Sequence, residues 1–140
     1  MKLLIAKAEL AHLRQVAEQG YPRETCGLLI GQTSDHSVAV AKSVQSRNLN
    51  TERARDRYLL DPHAMLRADR EAQQAGLEIV GVWHTHPDHP AIPSETDRAG
   101  AWEGWSYVIL SVTSAGVEAV RSWRLSGETF IEETIEPCQT

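Results

Sequence analysis

The segment His84-Thr-His86-Pro-Asp-His-Pro-Ala-Ile-Pro-Ser94-Glu-Thr-Asp97 gathers the residue types that hold a divalent metal and use it for hydrolysis. Residues i and i+2 of a strand point to one face, so His84 and His86 can converge on a single ion. Catalytic zinc sites draw three protein ligands from histidine and carboxylate and leave a fourth position to water. Asp97, in the first turn of a helix beyond the loop, is placed to be the third ligand. Pro87, Pro90 and Pro93 stiffen the connection, so less entropy is lost in holding that helix at the strand end. Each part alone has a plainer reading: a His-x-His pair also occurs on exposed edge strands, and Ser94 with Asp97 matches a Ser-x-x-acid capping box. The combination of both histidines at the end of an apolar strand with an acid after a rigid loop favours a metal site. Ser94 then serves as both helix cap and active-site residue.

Several elements have to position these side chains. Ile79-Val80-Gly81-Val82-Trp83 begins a central strand over Glu78 to His86, and a short helix starts at Ser94. Lys2 to Ala6 predicts an opening strand. From Ala8 to Gln19, Leu10, Leu13, Val16 and Ala17 share one helical face, and Gly20 supplies the stop. Cys26-Gly-Leu-Leu-Ile-Gly31 is too short for a stable helix and reads as a buried strand. Val38 to Val44 alternates as a further strand would. The polar stretch from Gln45 to Arg57 predicts a solvated loop before Tyr58-Leu59-Leu60. Asp61 and Pro62 are an acidic cap followed by a proline at the first helical position, and Met65, Ala68, Ala72 and Ala75 recur at helical spacing up to Gly76. Tyr107 to Val112, Val117 to Leu125 and Thr129 to Ile135 predict closing strands with hairpin-like turns. The fold class expected is mixed α/β (α+β): a mixed sheet flanked by helices, with residues 1–140 forming one domain.

Composition narrows the function. The 41% hydrophobic and 24% charged content is that of a globular chain. Fourteen basic against nineteen acidic residues, a net charge of −5, disfavours a nucleic-acid partner, which needs a dense basic face. No apolar run reaches the ~18–20 residues of a membrane span, and Lys7 and Glu9 interrupt the apolar start that a signal peptide would need. Only Cys26 and Cys138 are present, which excludes a disulfide framework and points to a reduced, cytoplasmic setting. Cys26 on an apolar strand reads as packing rather than as a nucleophile. His89, between prolines, faces solvent or substrate, and Trp83, Trp102, Trp105 and Trp123 are core or pocket-wall residues.

The order His-x-His, seven residues, Ser, two residues, Asp, met by His84, His86, Ser94 and Asp97, resembles the signature of the JAMM (MPN-plus) zinc metalloproteases. Pro22-Arg-Glu24-Thr-Cys-Gly27-Leu-Leu-Ile-Gly31 is similar to the family's upstream glutamate element. Thr85 stands where many members have serine. The resemblance implies a curved, cytidine-deaminase-like MPN sheet. It implies one Zn²⁺ held by His84, His86 and Asp97, Glu24 as general base, and Ser94 as donor to the developing oxyanion. Members hydrolyse peptide or isopeptide bonds after the Gly-Gly tail of ubiquitin-like proteins. The compact prokaryotic branch acts on ubiquitin-like sulfur carriers, which implies a sulfur-carrier partner and a place in cysteine or thio-cofactor biosynthesis. Two rival readings are a metal-free MPN scaffold that binds partners, and a RadC-like DNA-repair-associated protein.

Overall fold

The computed structural model describes residues 1–139. Its elements follow the chain as β1 (Lys2–Ala6), α1 (Lys7–Gly20), β2 (Cys26–Thr33), β3 (Ser37–Ser46), α2 (Pro62–Gln74), β4 (Glu78–Pro87), α3 (Glu95–Ala99), β5 (Ser106–Thr113), β6 (Gly116–Ser126) and β7 (Thr129–Cys138). Each expected element forms within a few residues of its expected bounds. Helix α2 begins as its sequence dictates: the Asp61 carboxylate accepts from the His63 N–H at 2.9 Å, and Pro62 takes the position where a missing donor costs nothing. Gly76, with φ +71°, turns the chain beyond its end.

The expectation of a curved mixed sheet of the cytidine-deaminase-like kind is overturned. The strands close into a barrel in the order β1-β3-β2-β4-β5-β6-β7. Closure depends on β1, which pairs in parallel with β3 on one side (Leu3 with Val38) and with β7 on the other (Leu3 with Ile135). The mixture of directions holds, since β4 and β5 are also parallel and the remaining pairs are antiparallel. Ladder irregularities at Leu29/Ile30, Ile30/Gly31 and Ser111/Val112 supply local bending, and pairing both sides of β1 removes two edges that an open sheet would expose.

Two apolar clusters flank the central strands. Leu13 and Ala17 of α1 pack with Leu3, Ile5, Leu29, Val80 and Leu110, while Ala68 and Ala72 of α2 pack with Leu28, Ile30, Val82 and Tyr107. One irregularity decides where β4 aims its histidines. Gly81 is opposite Leu29 and Ile79 is opposite Ile30, so Val80 has no place in that ladder. This extra residue reverses the phase of the strand, and Ile79 and Val82 both face α2 although they are three residues apart. Beyond it the alternation carries Val82, His84 and His86 to one face. Gly27 keeps this region tight: a Cβ there would run into the Val44 carbonyl and the Trp83 indole, which are hydrogen-bonded to each other at 3.2 Å.

Candidate metal centre

Three elements deliver side chains to the end of β4. The antiparallel ladder of β2 pairs Cys26 with His84, and the register continues one residue further. Thr85 N–H donates to the Thr25 carbonyl at 2.9 Å, and Thr25 N–H donates to Thr85 Oγ1 at 2.9 Å. The next step sets Glu24 across from His86. Its backbone is held from the 47–60 loop, where the Ala54 carbonyl accepts from Glu24 N–H at 2.5 Å and the Asn48 side-chain amide donates to the Glu24 carbonyl at 3.1 Å. Helix α3 contributes Asp97 through a capping box: Asp97 N–H donates to Ser94 Oγ at 3.1 Å, and Ser94 N–H donates to Asp97 Oδ2 at 2.9 Å.

The result is a tight convergence. His84 Nε2 lies 3.3 Å from Asp97 Oδ2, His86 Nε2 lies 3.0 Å from the same oxygen, and the two Nε2 atoms are 3.2 Å apart. A Glu24 carboxylate oxygen lies within 4.8 Å of the imidazole nitrogens, and Glu24, His84 and His86 are all buried. The donor set fits a metal. His86 Nδ1 is 2.8 Å from the Pro90 carbonyl, which can only accept, so the ring proton sits on Nδ1 and the Nε2 lone pair faces the cluster. Bonds of ~2.0–2.1 Å to a tetrahedral zinc put ligand atoms roughly 3.3–3.4 Å apart, close to the spacings seen here. Three acceptor atoms packed this closely repel one another unless a cation lies between them. His84 Nδ1 is buried and without a hydrogen bond, and its ring is instead stacked on Tyr58, with centroids 4.4 Å apart at 24°.

Electrostatics follow from the same contacts. In the metal-free chain burial favours protonated Asp97, but Nε2 protons then carried by His84 and His86 hydrogen-bond to it, outweigh burial and hold the carboxyl well below its usual range. Burial lowers the His84 pKa; burial acts the same way on His86, yet the Asp97 hydrogen bond and the Pro90 carbonyl raise it overall. Glu24 is pushed up to about 7, first by burial and then by the charges of Asp97 and Asp56, against the opposing pull of His86. No hydrogen bond ties its carboxylate to another described residue. A carboxylate that exchanges a proton near neutrality, beside two imidazoles, is suited to general-base work.

All five residues singled out by the sequence therefore meet at one place. Ser94 is exposed and lines a cleft of about 430 Å³ with Glu24, Arg55, His86, His89 and Asp97. Its hydroxyl oxygen accepts from Asp97 N–H, which leaves its proton free to donate. Cys26 is buried, and burial raises its thiol to about 12, which excludes it as a nucleophile. Trp83 is a core residue, while Trp102 and Trp105 line an apolar cleft of about 370 Å³ on the far side of Asp97. Two residues escaped the sequence reading. Asn48 staples the loop: its amide donates to the Glu24 and Arg57 carbonyls, and its Oδ1 accepts from Asn50 and Leu59 N–H. Tyr58 packs on His84. The one signal for Tyr58 was an aromatic beside Leu59-Leu60 at the end of a polar run.

The model of prokaryotic homologs of the JAB domain matches residues 6–126, a stretch that contains Glu24, His84, His86, Ser94 and Asp97. The chain belongs to the prokaryotic JAB family. Among its JAB relatives, a desampylase of Haloferax volcanii is 37% identical over 127 residues, covering 90% of this chain and 86% of that one. A CysO-cysteine peptidase of Mycobacterium tuberculosis is 29% identical over 136 residues, covering 95% and 90%. A solution structure of a Desulfitobacterium hafniense protein superposes with a TM-score of 0.85 at 26% identity, covering 99% of this chain and 94% of that one. With its buried Glu–His–His cluster in place, this JAB domain is a hydrolytic enzyme with a metal-binding constellation.

Proposed function

We propose that this JAB-family enzyme is a single-domain zinc metallopeptidase that hydrolyses the peptide or isopeptide bond after the Gly-Gly tail of a ubiquitin-like sulfur-carrier protein. The observation that carries the reading is the convergence of His84 Nε2, His86 Nε2 and Asp97 Oδ2 within 3.0–3.3 Å, with the free carboxylate of Glu24 beside them. His84, His86 and Asp97 would hold one zinc ion. Bound there, zinc supplies Lewis acidity at the scissile carbonyl and lowers the pKa of a water from 15.7 towards ~7.

The chain's own groups do the rest. Glu24 takes the proton of the attacking water and delivers it to the leaving amine. Ser94 donates its unused hydroxyl proton to the carbonyl oxygen as charge builds there, a contribution worth about 3–4 kcal/mol where such donors have been removed from proteases. The Pro90 carbonyl and the Tyr58 ring keep the two imidazoles in register. A tail of two glycines suits a centre whose Glu24 and His84 are buried, because only glycine lets a backbone approach so closely. The relatives support the substrate class, one of them being named a CysO-cysteine peptidase. No helix among the described residues is long and apolar enough to cross a membrane; the cytoplasmic setting we propose rests on the two cysteines, and the exclusion of nucleic acids on the net charge of −5. A metal-free scaffold would have no use for a buried, unpartnered Glu24, and a RadC-like role fits poorly with a net charge of −5.

The test is cleavage of a sulfur carrier extended beyond Gly-Gly by cysteine or by a lysine-linked peptide. We expect release of the extension by the zinc-loaded protein, loss on chelation, and recovery on adding zinc back. Intact adduct after incubation with zinc-loaded, folded protein would refute the peptidase assignment.

A further inference from the structure

After Arg47, three more arginines follow on the loop beside the metal centre, and two of these are already engaged. Arg53 forms a bidentate pair with Asp56, and Arg57 Nη1 donates to Thr96 Oγ1 at 2.6 Å. Arg55 makes no ion pair or hydrogen bond among the described residues, yet it lines the cleft that holds Glu24, His86, Ser94 and Asp97. The same side chain lines a neighbouring polar groove with Pro22, Arg53 and Asp88, and Asp56, Pro87 and His89 are also common to both hollows. Charge in this space is otherwise mostly negative: Glu24, Glu52, Asp56, Asp88 and Asp97 all line it, and Asp88 and Asp56 are engaged by Tyr21 and Arg53. The opposite side of the centre differs in character. There Tyr58, Met65, Trp102 and Trp105 form an apolar cleft that suits the body of an acyl tail and has no arginine but the engaged Arg57.

We infer that Arg55 selects leaving groups with a free carboxylate close to the scissile amide. This rests on the proposed peptidase reading and narrows its substrate class to a carrier capped by an amino acid or very short peptide, rather than one linked to a lysine inside a protein. An α-carboxylate one residue beyond the cut is the anion that an uncommitted guanidinium binds in bidentate fashion. A lysine ε-amine offers no carboxylate within reach, and the five acidic residues of this space would disfavour an anion in the absence of Arg55. Because Arg55 is exposed, the contact should be worth about tenfold rather than thousands and should weaken with salt.

The experiment compares two semisynthetic carrier adducts, one ending Gly-Gly-Ala with a free carboxylate and the other ending Gly-Gly-Ala-amide. Both are tested against wild type and Arg55→Gln, each zinc-loaded. Wild type should favour the acid about tenfold in kcat/KM, mainly through KM, and less so at 1 M salt. Arg55→Gln should cleave both at the rate wild type shows for the amide. Binding of both adducts to Glu24→Gln, and to Glu24→Gln combined with Arg55→Gln, gives a readout that needs no turnover. Tighter binding of the acid that disappears with Arg55 supports the carboxylate contact even if neither adduct is cut, an outcome that would sink only the peptidase reading. Equal binding of acid and amide by Glu24→Gln, or a preference that survives Arg55→Gln, overturns the inference.

Discussion

Glu24, the general base we propose, is buried, which makes its ionisation measurable without a substrate. In the folded metal-free chain its carboxyl titrates at about 7, against an ordinary value of 4.5. The native state therefore holds a proton that the unfolded state has lost, and stability falls as pH rises. The contribution is fully present below pH 4.5 and is lost as pH passes through about 7. Glu24→Gln has no such charge to bury, so metal-free Glu24→Gln should exceed metal-free wild type in Tm by roughly 5 °C or more at pH 8, and the gap should close at pH 5. Calorimetry across that range checks it; a gap independent of pH would mean that Glu24 ionises normally. His84 makes a second case. Its Nδ1 has no hydrogen-bond partner, so the Tyr58 ring does what the Pro90 carbonyl does for His86. Tyr58→Ala should weaken zinc binding about tenfold in a chelator competition, and Tyr58→Phe should not. The histidine pair was legible in the sequence because residue type and i, i+2 spacing alone bring His84 and His86 to one face of β4. Glu24 was legible only through family resemblance, since nothing local marks a glutamate lying sixty residues before the histidines it serves. Asn48 and Tyr58 act through contacts that no spacing rule encodes.

Elements were legible almost throughout, because apolar periodicity, the Asp61-Pro62 start and the Ser94–Asp97 box are written locally. The displaced residue in β4 was not. Val80 falls out of the β2 ladder at a register shift that no local pattern marks, and it sets which face receives His84 and His86. Helix α3 presents the sharper test, since Ser94 caps it and also faces the cleft. Alanine at an N-cap costs about 1 kcal/mol, and glycine only a few tenths. Ser94→Gly and Ser94→Ala should thus differ in Tm, yet both should lower kcat by about 10²–10³ with zinc content unchanged. If the glycine variant kept near-normal kcat, Ser94 would act through the helix alone.

At the scale of the whole molecule, the sequence predicted a mixed sheet with helices and missed its closure into a barrel. Closure depends on the partners of β1, five residues whose own pattern says only that Leu3 and Ile5 are buried. A strand does not announce that both of its edges are taken, and β1 meets β7 across nearly the full length of the chain. Because β1 holds the ring shut, Ile5→Ala should cost ~2–5 kcal/mol and lower Tm sharply, far from the metal. The central claim is that three residues hold zinc while a fourth, Glu24, only moves protons. The most direct test is zinc content and turnover measured on one preparation of Glu24→Gln. The account predicts about one zinc per chain, as in wild type, with turnover reduced ~10²–10⁴-fold. Zinc lost along with the carboxylate, or near-normal turnover, would contradict it.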